Sequence, residues 1–181
     1  IAVIGGGAWG TALATVAARA GRDVVIWVRE EDVAQAINTR HENTLFLPGI
    51  PLDPTIRATT DLNDLVGLDA CLLVAPAQHL RLVCESLATV LPKGALLAIC
   101  AKGIEQHSGK LMSNVVEETL PQVVPAILSG PSFASDVARG LPTAVTLACR
   151  QEEPAKALVE AIGAPTFRPY WTADLIGAQI G

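Results

Sequence analysis

A short apolar run, Ile1–Ile4, opens the chain and delivers it directly into Gly5-Gly6-Gly7-Ala8-Trp9-Gly10. Beyond Gly10, the residues Leu13, Val16, Ala17 and Ala20 recur at the i, i+3, i+4, i+7 spacing of a helix with one apolar face. Gly21 is placed to end that helix, and Asp23–Val28 reads as the next strand. A GxGxxG string met alone is weak evidence. Here it follows a strand, opens a helix and sits inside a βαβ unit of about 28 residues. In that setting Gly5 permits the tight turn, Gly7 lets the backbone approach a pyrophosphate, and Gly10 lets helix and strand pack closely. The helix start offers free N–H groups and the positive end of its dipole to the phosphates.

The rest of the chain keeps the alternation. A helix is predicted over Glu31–Arg40, a loop over Asn43–Pro54, a strand over Ile56–Thr59, and a short helical turn capped by Asp61. Asp69–Ala75 reads as a buried strand, and Pro76 is placed to open a helix carrying Leu80, Val83, Cys84, Leu87 and Leu91 on one face. Then follow a strand at Ala95–Cys100, a helix at Ser108–Leu120 and a strand at Pro125–Leu128. Ser132 or Ser135 is expected to cap a short helix that stops at Gly140. Strand Thr143–Ala148, helix Glu152–Ile162, strand Thr166–Tyr170 and a helix from Thr172 complete the reading. Strands alternating with helices of about 10–15 residues imply an α/β fold, a doubly wound, Rossmann-type, mostly parallel sheet with helices on both faces. The late units are expected to extend the sheet in mixed orientation. Residues 1–170 are assigned to this domain and 171–181 to the start of a helix leading out of it.

Composition narrows the function classes. Half of the 181 residues are apolar and 17% are charged, which supports a large core and excludes disorder. The net charge of −5 with no basic run argues against a nucleic-acid surface, and 4% aromatic content argues against stacking platforms. Mean hydropathy is high at +0.40. The apolar runs, such as Ala70–Ala77 and Ala95–Ala101, are strand-sized, so no membrane span is expected. Cys71, Cys84, Cys100 and Cys149 lack ligand-like spacing and read as reduced core thiols, which points to the cytoplasm. His41 and His107 have no acidic or cysteine partner at ligand spacing, so no metal is assigned. No signal peptide is visible, and the chain opens without Met in a strand, so the true start is expected upstream.

The second strand ends Ile26-Trp27-Val28-Arg29, where an NAD-selective site usually carries an acidic residue for the ribose hydroxyls. Arg29 suits a 2′-phosphate or the adenine face instead. Glu30 and Glu31 follow at once and read as a solvated helix start. The pattern favours NADP while leaving NAD open.

Each later strand end carries its own turn: Val74-Ala75-Pro76-Ala77-Gln78, Ala101-Lys102-Gly103-Ile104-Glu105 and Ser129-Gly130-Pro131-Ser132-Phe133-Ala134. Together with Gly5–Gly10 and Gly140-Leu141-Pro142-Thr143-Ala144, these turns closely resemble bacterial NAD(P)-dependent glycerol-3-phosphate dehydrogenase, from Ile1 to Gly181. The resemblance is to the amino-terminal half of an enzyme about twice this long. It implies that Ala8 and Trp9 lie against the cofactor pyrophosphate and Arg29 at the adenosine end, with Pro76 and Ala134 also at the cofactor. Lys102 would touch cofactor and substrate, and Gly130 and Ser132 would help hold the substrate. The implied reaction interconverts dihydroxyacetone phosphate and sn-glycerol 3-phosphate by hydride transfer at nicotinamide C4, feeding phospholipid synthesis in bacteria. The family's proton-relay lysine sits in a GGAxKN-like segment of which Gly181 would be the first glycine. No catalytic residue is therefore assigned within these residues, and this stretch alone is expected to bind dinucleotide without turnover. A homodimer of the full-length protein is expected by resemblance only.

The residue chemistry stands beside this. Lys102 follows a buried strand at the ligand edge, where an ammonium offsets both a phosphate and the charge that develops on a reduced carbonyl. Gln78 and His79 open the helix after Pro76 and border the expected nicotinamide position, although a surface role suits His79 beside Arg81. Nothing in the sequence pairs Asp136 and Glu105 as acid and base. Two other readings stay open: an NADP(H)-binding regulatory module without chemistry, and another two-domain reductase of the β-hydroxyacid or ketopantoate type.

Overall fold

The computed structural model describes residues 1–180, so the reading of Gly181 lies outside the described residues. The strands are β1 (Ala2–Ile4), β2 (Val25–Trp27), β3 (Arg57–Thr59), β4 (Ala70–Leu73), β5 (Leu96–Ile99), β6 (Val124–Ser129), β7 (Thr143–Ala148) and β8 (Phe167–Thr172). They form one sheet in the order β3-β2-β1-β4-β5-β6-β7-β8. All neighbours run parallel except β6 and β7, which pair antiparallel, so the β7–β8 pair is reversed against the rest. The mixed orientation expected for the late units is this reversal.

Among the described residues, seven α-helices cover the two faces: α1 (Ala8–Arg19), α2 (Glu31–Arg40), α3 (Leu80–Leu87), α4 (Met112–Thr119), α5 (Ala134–Ala138), α6 (Glu152–Ile162) and α7 (Leu175–Ile180). Side chains alternate across the central strands, because successive residues of a strand point to opposite faces. Val3, Leu72 and Ala98 pack with α1, α2 and α6 in one core. Ile4, Leu73, Leu97 and Ile99 pack with α3, α4 and α7 in the other. Burial on both faces explains why these strands read as unbroken apolar runs.

The sheet's first edge is closed from within the chain. Residues 57 and 59 of β3 turn their backbone groups toward β2, leaving those of Ala58 facing outward. Asn38 of α2 meets them with its side-chain amide: Nδ2 donates to Ala58 O at 2.8 Å, and Oδ1 accepts from Ala58 N at 2.8 Å.

Four expectations shift. The helix predicted from Ser108 begins at Met112, because residues 104–111 form a small hairpin in which Ile104 bridges Leu111 and Glu105 N donates to Lys110 O. Helix α3 ends at Leu87, and Leu91 is buried through the turn that follows. Neither Ser132 nor Ser135 caps α5: its N-cap is Phe133, with no side-chain cap bond. The last helix starts at Leu175 rather than Thr172, since Thr172 is still paired with Ala148 in β8.

Candidate functional site

The strand order reverses direction between β1 and β4, and the crevice beyond their carboxyl ends is where open α/β sheets bind ligands. A cleft of about 350 Å³ opens there. Its walls come from three strand ends: the glycine turn after β1, Trp27, Arg29 and Glu30 at the end of β2 and just beyond it, and Val74, Ala75, Pro76 and His79 after β4. Phe46, from the loop after α2, closes another side.

The glycine turn is held by close approach. Gly5 has φ +119°, a left-handed conformation that side chains rarely adopt, and its N–H donates to Trp27 O at 2.9 Å. A Cβ at Gly10 would stand 1.8 Å from Gly5 O, so the α1 backbone rests directly on the turn. At Gly7 a Cβ would meet nothing within 4 Å, and that residue is the exposed N-cap of α1. No side chain caps the helix, and no acidic residue stands in its first turn. Its first N–H groups and dipole are thus free for an anion, which fits the pyrophosphate of a dinucleotide.

Of the residues singled out in the sequence, Gly5, Gly7, Arg29 and Pro76 line the cleft. Ala8, Trp9 and Gly10 form the first turn of α1 behind it, with Ala8 and Trp9 packed partly into the core. Ala134 opens α5, which packs against α1. Arg19 of α1 secures that contact by donating to the carbonyls of Val137, at 3.1 Å, and Ala138.

Arg29 is largely exposed and pairs with Glu30, Nη2 to Oε1 at 3.0 Å. An exposed ion pair of this kind is weak, so the guanidinium is available to a stronger anion. Glu30, expected as a solvated helix start, lines the cleft as the N-cap of α2. His79 is exposed, as expected, and also lines the cleft, while its neighbour Arg81 pairs with Glu105 and Glu118.

Lys102 follows β5, the strand between β4, whose following turn lines the cleft, and β6, which is followed by Gly130. It lies outside the cleft lining and is exposed, with no salt bridge among the described residues. The chain just after it is anchored to the turn that follows β4. Gln78 Nε2 donates to Ile104 O at 2.9 Å, and Gln78 Oε1 accepts from Gln106 N at 3.0 Å. Two hydrogen bonds from Arg81 and one from Ser108 hold the Glu105 carboxyl ionised, its pKa depressed from 4.5 to about 2. That removes Glu105 as an acid or base near neutrality.

Gly130 follows β6 directly, and a Cβ there would stand 2.9 Å from the Val145 side chain. Ser132 contributes to a separate cavity of about 390 Å³ with Asp136 and Thr143, and its buried Oγ has no hydrogen-bond partner. A buried hydroxyl without a partner is costly and rare, and a functional role is one of the explanations for such a group. All four cysteines are buried, and burial raises the pKa of Cys71, Cys84 and Cys100, with Cys84 at about 11. They are inert core thiols. No cluster of three metal-ligating side chains occurs among the described residues.

Sequence reading missed Gly6, Trp27, Val74, Ala75, Val83 and Phe46 as cleft residues. Phe46 sits in a proline-rich loop with no periodicity to flag it, and only the tertiary fold brings that loop to the glycine turn.

Residues 1–155 match the family model described as the N-terminus of NAD-dependent glycerol-3-phosphate dehydrogenase. The NAD(P)+ glycerol-3-phosphate dehydrogenase of Parvibaculum lavamentivorans is 59% identical across the whole chain, which covers 54% of that relative. That of Maricaulis maris is 58% identical, with the same coverage of 54%. The crystal structure of glycerol-3-phosphate dehydrogenase from Coxiella burnetii superposes with a TM-score of 0.92 at 36% identity, over 98% of this chain and 55% of that one. The chain spans about half the length of these relatives.

Proposed function

Because the chain belongs to the NAD-dependent glycerol-3-phosphate dehydrogenase family, we propose that it is the dinucleotide-binding half of an enzyme interconverting dihydroxyacetone phosphate and sn-glycerol 3-phosphate. The observation that carries this reading is the cleft at the β1/β4 switch point, floored by an uncapped helix start and a glycine turn too close-packed for any side chain at Gly10. When bound, the dinucleotide supplies or accepts the hydride at nicotinamide C4.

The residues of this chain do the rest of the binding and orienting. Gly7 and the N–H groups of Ala8 and Trp9 hold the pyrophosphate, while Arg29 faces the adenosine end and favours NADP. Pro76 and Ala134 border the cofactor. Lys102 offsets the substrate phosphate and the negative charge that grows on the carbonyl oxygen. Ser132 donates its unpartnered hydroxyl to the same substrate, and Gly130 gives it room. Proton relay is assigned to the lysine segment that the resemblance places after Gly181.

Titration with NADPH and NADH, followed through tryptophan fluorescence with Trp27 in the cleft wall, tests the cofactor step. Saturable binding, tighter for NADPH, is the expected result, and no binding of either overturns the reading. A cytoplasmic location and a homodimer of the full-length protein complete the proposal. Among the described residues, no helix is long and apolar enough to cross a membrane, and sedimentation measures the oligomeric state.

A further inference from the structure

Asn43 is fully buried in the loop between α2 and β3, an unusual place for a primary amide. All its polar groups are engaged. Nδ2 donates to Gly6 O at 2.8 Å and to Thr11 Oγ1 at 2.8 Å, and Oδ1 accepts from Phe46 N at 3.0 Å. The orientation of the amide is fixed by these partners: Gly6 O accepts only and Phe46 N donates only, so a flipped amide fails at both ends. One side chain therefore ties together two walls of the cleft, the glycine turn and the loop that carries Phe46. That loop is itself well built, with Leu47 N donating to Asn43 O, Leu52 N donating to His41 O, and Leu47, Ile50 and Leu52 buried beneath it.

The bond to Gly6 has a directional consequence. The Gly6 carbonyl and the Gly7 N–H belong to one planar trans peptide, so they point in opposite directions. Holding the carbonyl inward on Asn43 turns the Gly7 N–H outward, toward the exposed side where Gly7 lines the cleft. Without that anchor the turn is free to rotate its peptide planes, because glycine sets little torsional resistance of its own.

We propose that Asn43 is a positioning residue for dinucleotide binding, fixing the Gly6–Gly7 peptide so that its N–H faces the pyrophosphate and locking the Phe46 loop to the same turn. This rests on the cofactor reading above. Asn43→Asp keeps the shape and the acceptor for Phe46 N but removes both donors, and Asn43→Ala removes all three bonds. Thr11→Val is the matched control, since it strips the same buried cluster of one hydrogen bond and leaves Gly6 held.

NADPH and NADH affinities are measured well below each variant's unfolding temperature. Both Asn43 variants are expected to bind about tenfold more weakly or worse, and Thr11→Val within about threefold of the parent despite a lower melting temperature. Asn43 variants that bind within about threefold of the parent overturn the proposal, and so does an equal loss in Thr11→Val, which marks a merely structural effect. Failure of the parent to bind either dinucleotide overturns the cofactor reading, and this inference falls with it. If the Asn43 variants do not fold, side-chain amide exchange in the unsubstituted protein decides. Asn43 Nδ2 protons protected before dinucleotide is added support a preset turn, and protection that arises only on binding overturns it.

Discussion

Arg81 meets Glu105 through two parallel hydrogen bonds, Nε to Oε1 at 2.9 Å and Nη2 to Oε2 at 2.8 Å, across the gap between α3 and the hairpin that follows Lys102. The same guanidinium reaches Glu118 on α4 at 3.1 Å, and Lys110 closes the network on Glu118. Planar, bidentate pairing of this kind sets geometry as well as adding energy. Together with the Gln78 amide, it anchors the segment after β5 to the turn after β4.

Acid sensitivity follows from that pair. The folded Glu105 carboxyl titrates near 2, against 4.5 ordinarily, so between those values the unfolded chain binds more protons than the folded one. The stabilisation is complete above pH 4.5 and is lost as pH falls toward about 2. Glu105→Gln is expected to flatten the decline in melting temperature across that window. An unchanged slope in a pH series of thermal unfolding contradicts the assignment.

The two glycines at either end of the turn should fail in different ways. Gly10→Ala puts a methyl group 1.8 Å from Gly5 O and is expected to cost about 3 kcal/mol or more, seen as loss of the folded state in denaturant titration. Gly7→Ala meets nothing within 4 Å, so stability should hold to about 0.5 kcal/mol. The new methyl stands where a pyrophosphate must approach, and dinucleotide affinity is expected to fall about tenfold. Equal behaviour of the two variants refutes the distinction.

Arg29→Asp is expected to move the cofactor preference from NADPH toward NADH by about tenfold, the scale of one lost charge-assisted contact. Glu30, already at the cleft wall, then acts with the new carboxylate on the ribose hydroxyls. Identical NADPH-to-NADH affinity ratios before and after the change remove Arg29 from the site.

Ser132→Ala tests whether stability was given up for binding. Its hydroxyl is buried without a partner, so deleting it should leave the fold unharmed or stabilise it by about 1 kcal/mol. Affinity of the full-length enzyme for dihydroxyacetone phosphate should fall about tenfold. A drop in melting temperature with unchanged substrate affinity reverses the assignment.

Much of the fold was written locally. Helices Glu31–Arg40 and Glu152–Ile162 and strand Thr143–Ala148 fall where periodicity and caps put them, because each has its own pattern and stops. The hairpin at residues 104–111 was not legible: a helix is predicted from Ser108 onward, yet the Ser108 hydroxyl donates to Glu105 inside the hairpin. The site divides along the same line. The GxGxxG spacing and Arg29 announce themselves, since each needs only a strand end and a neighbour. Asn43 and Phe46 depend on a contact with a turn 37 residues away from Asn43, and no local pattern encodes that.

The Asn38–Ala58 amide pair governs what the molecule can do in company. A sheet that stops at a three-residue strand would ordinarily present a bare ladder, ready to template a stray chain. Here the outward-facing backbone groups of Ala58 are already occupied by Asn38, and at the opposite margin Pro169 interrupts β8 with a residue that has no N–H to offer. Strand-to-strand growth is thus discouraged at both borders. Losing Asn38 would show less as weakened folding than as precipitation when the protein is concentrated.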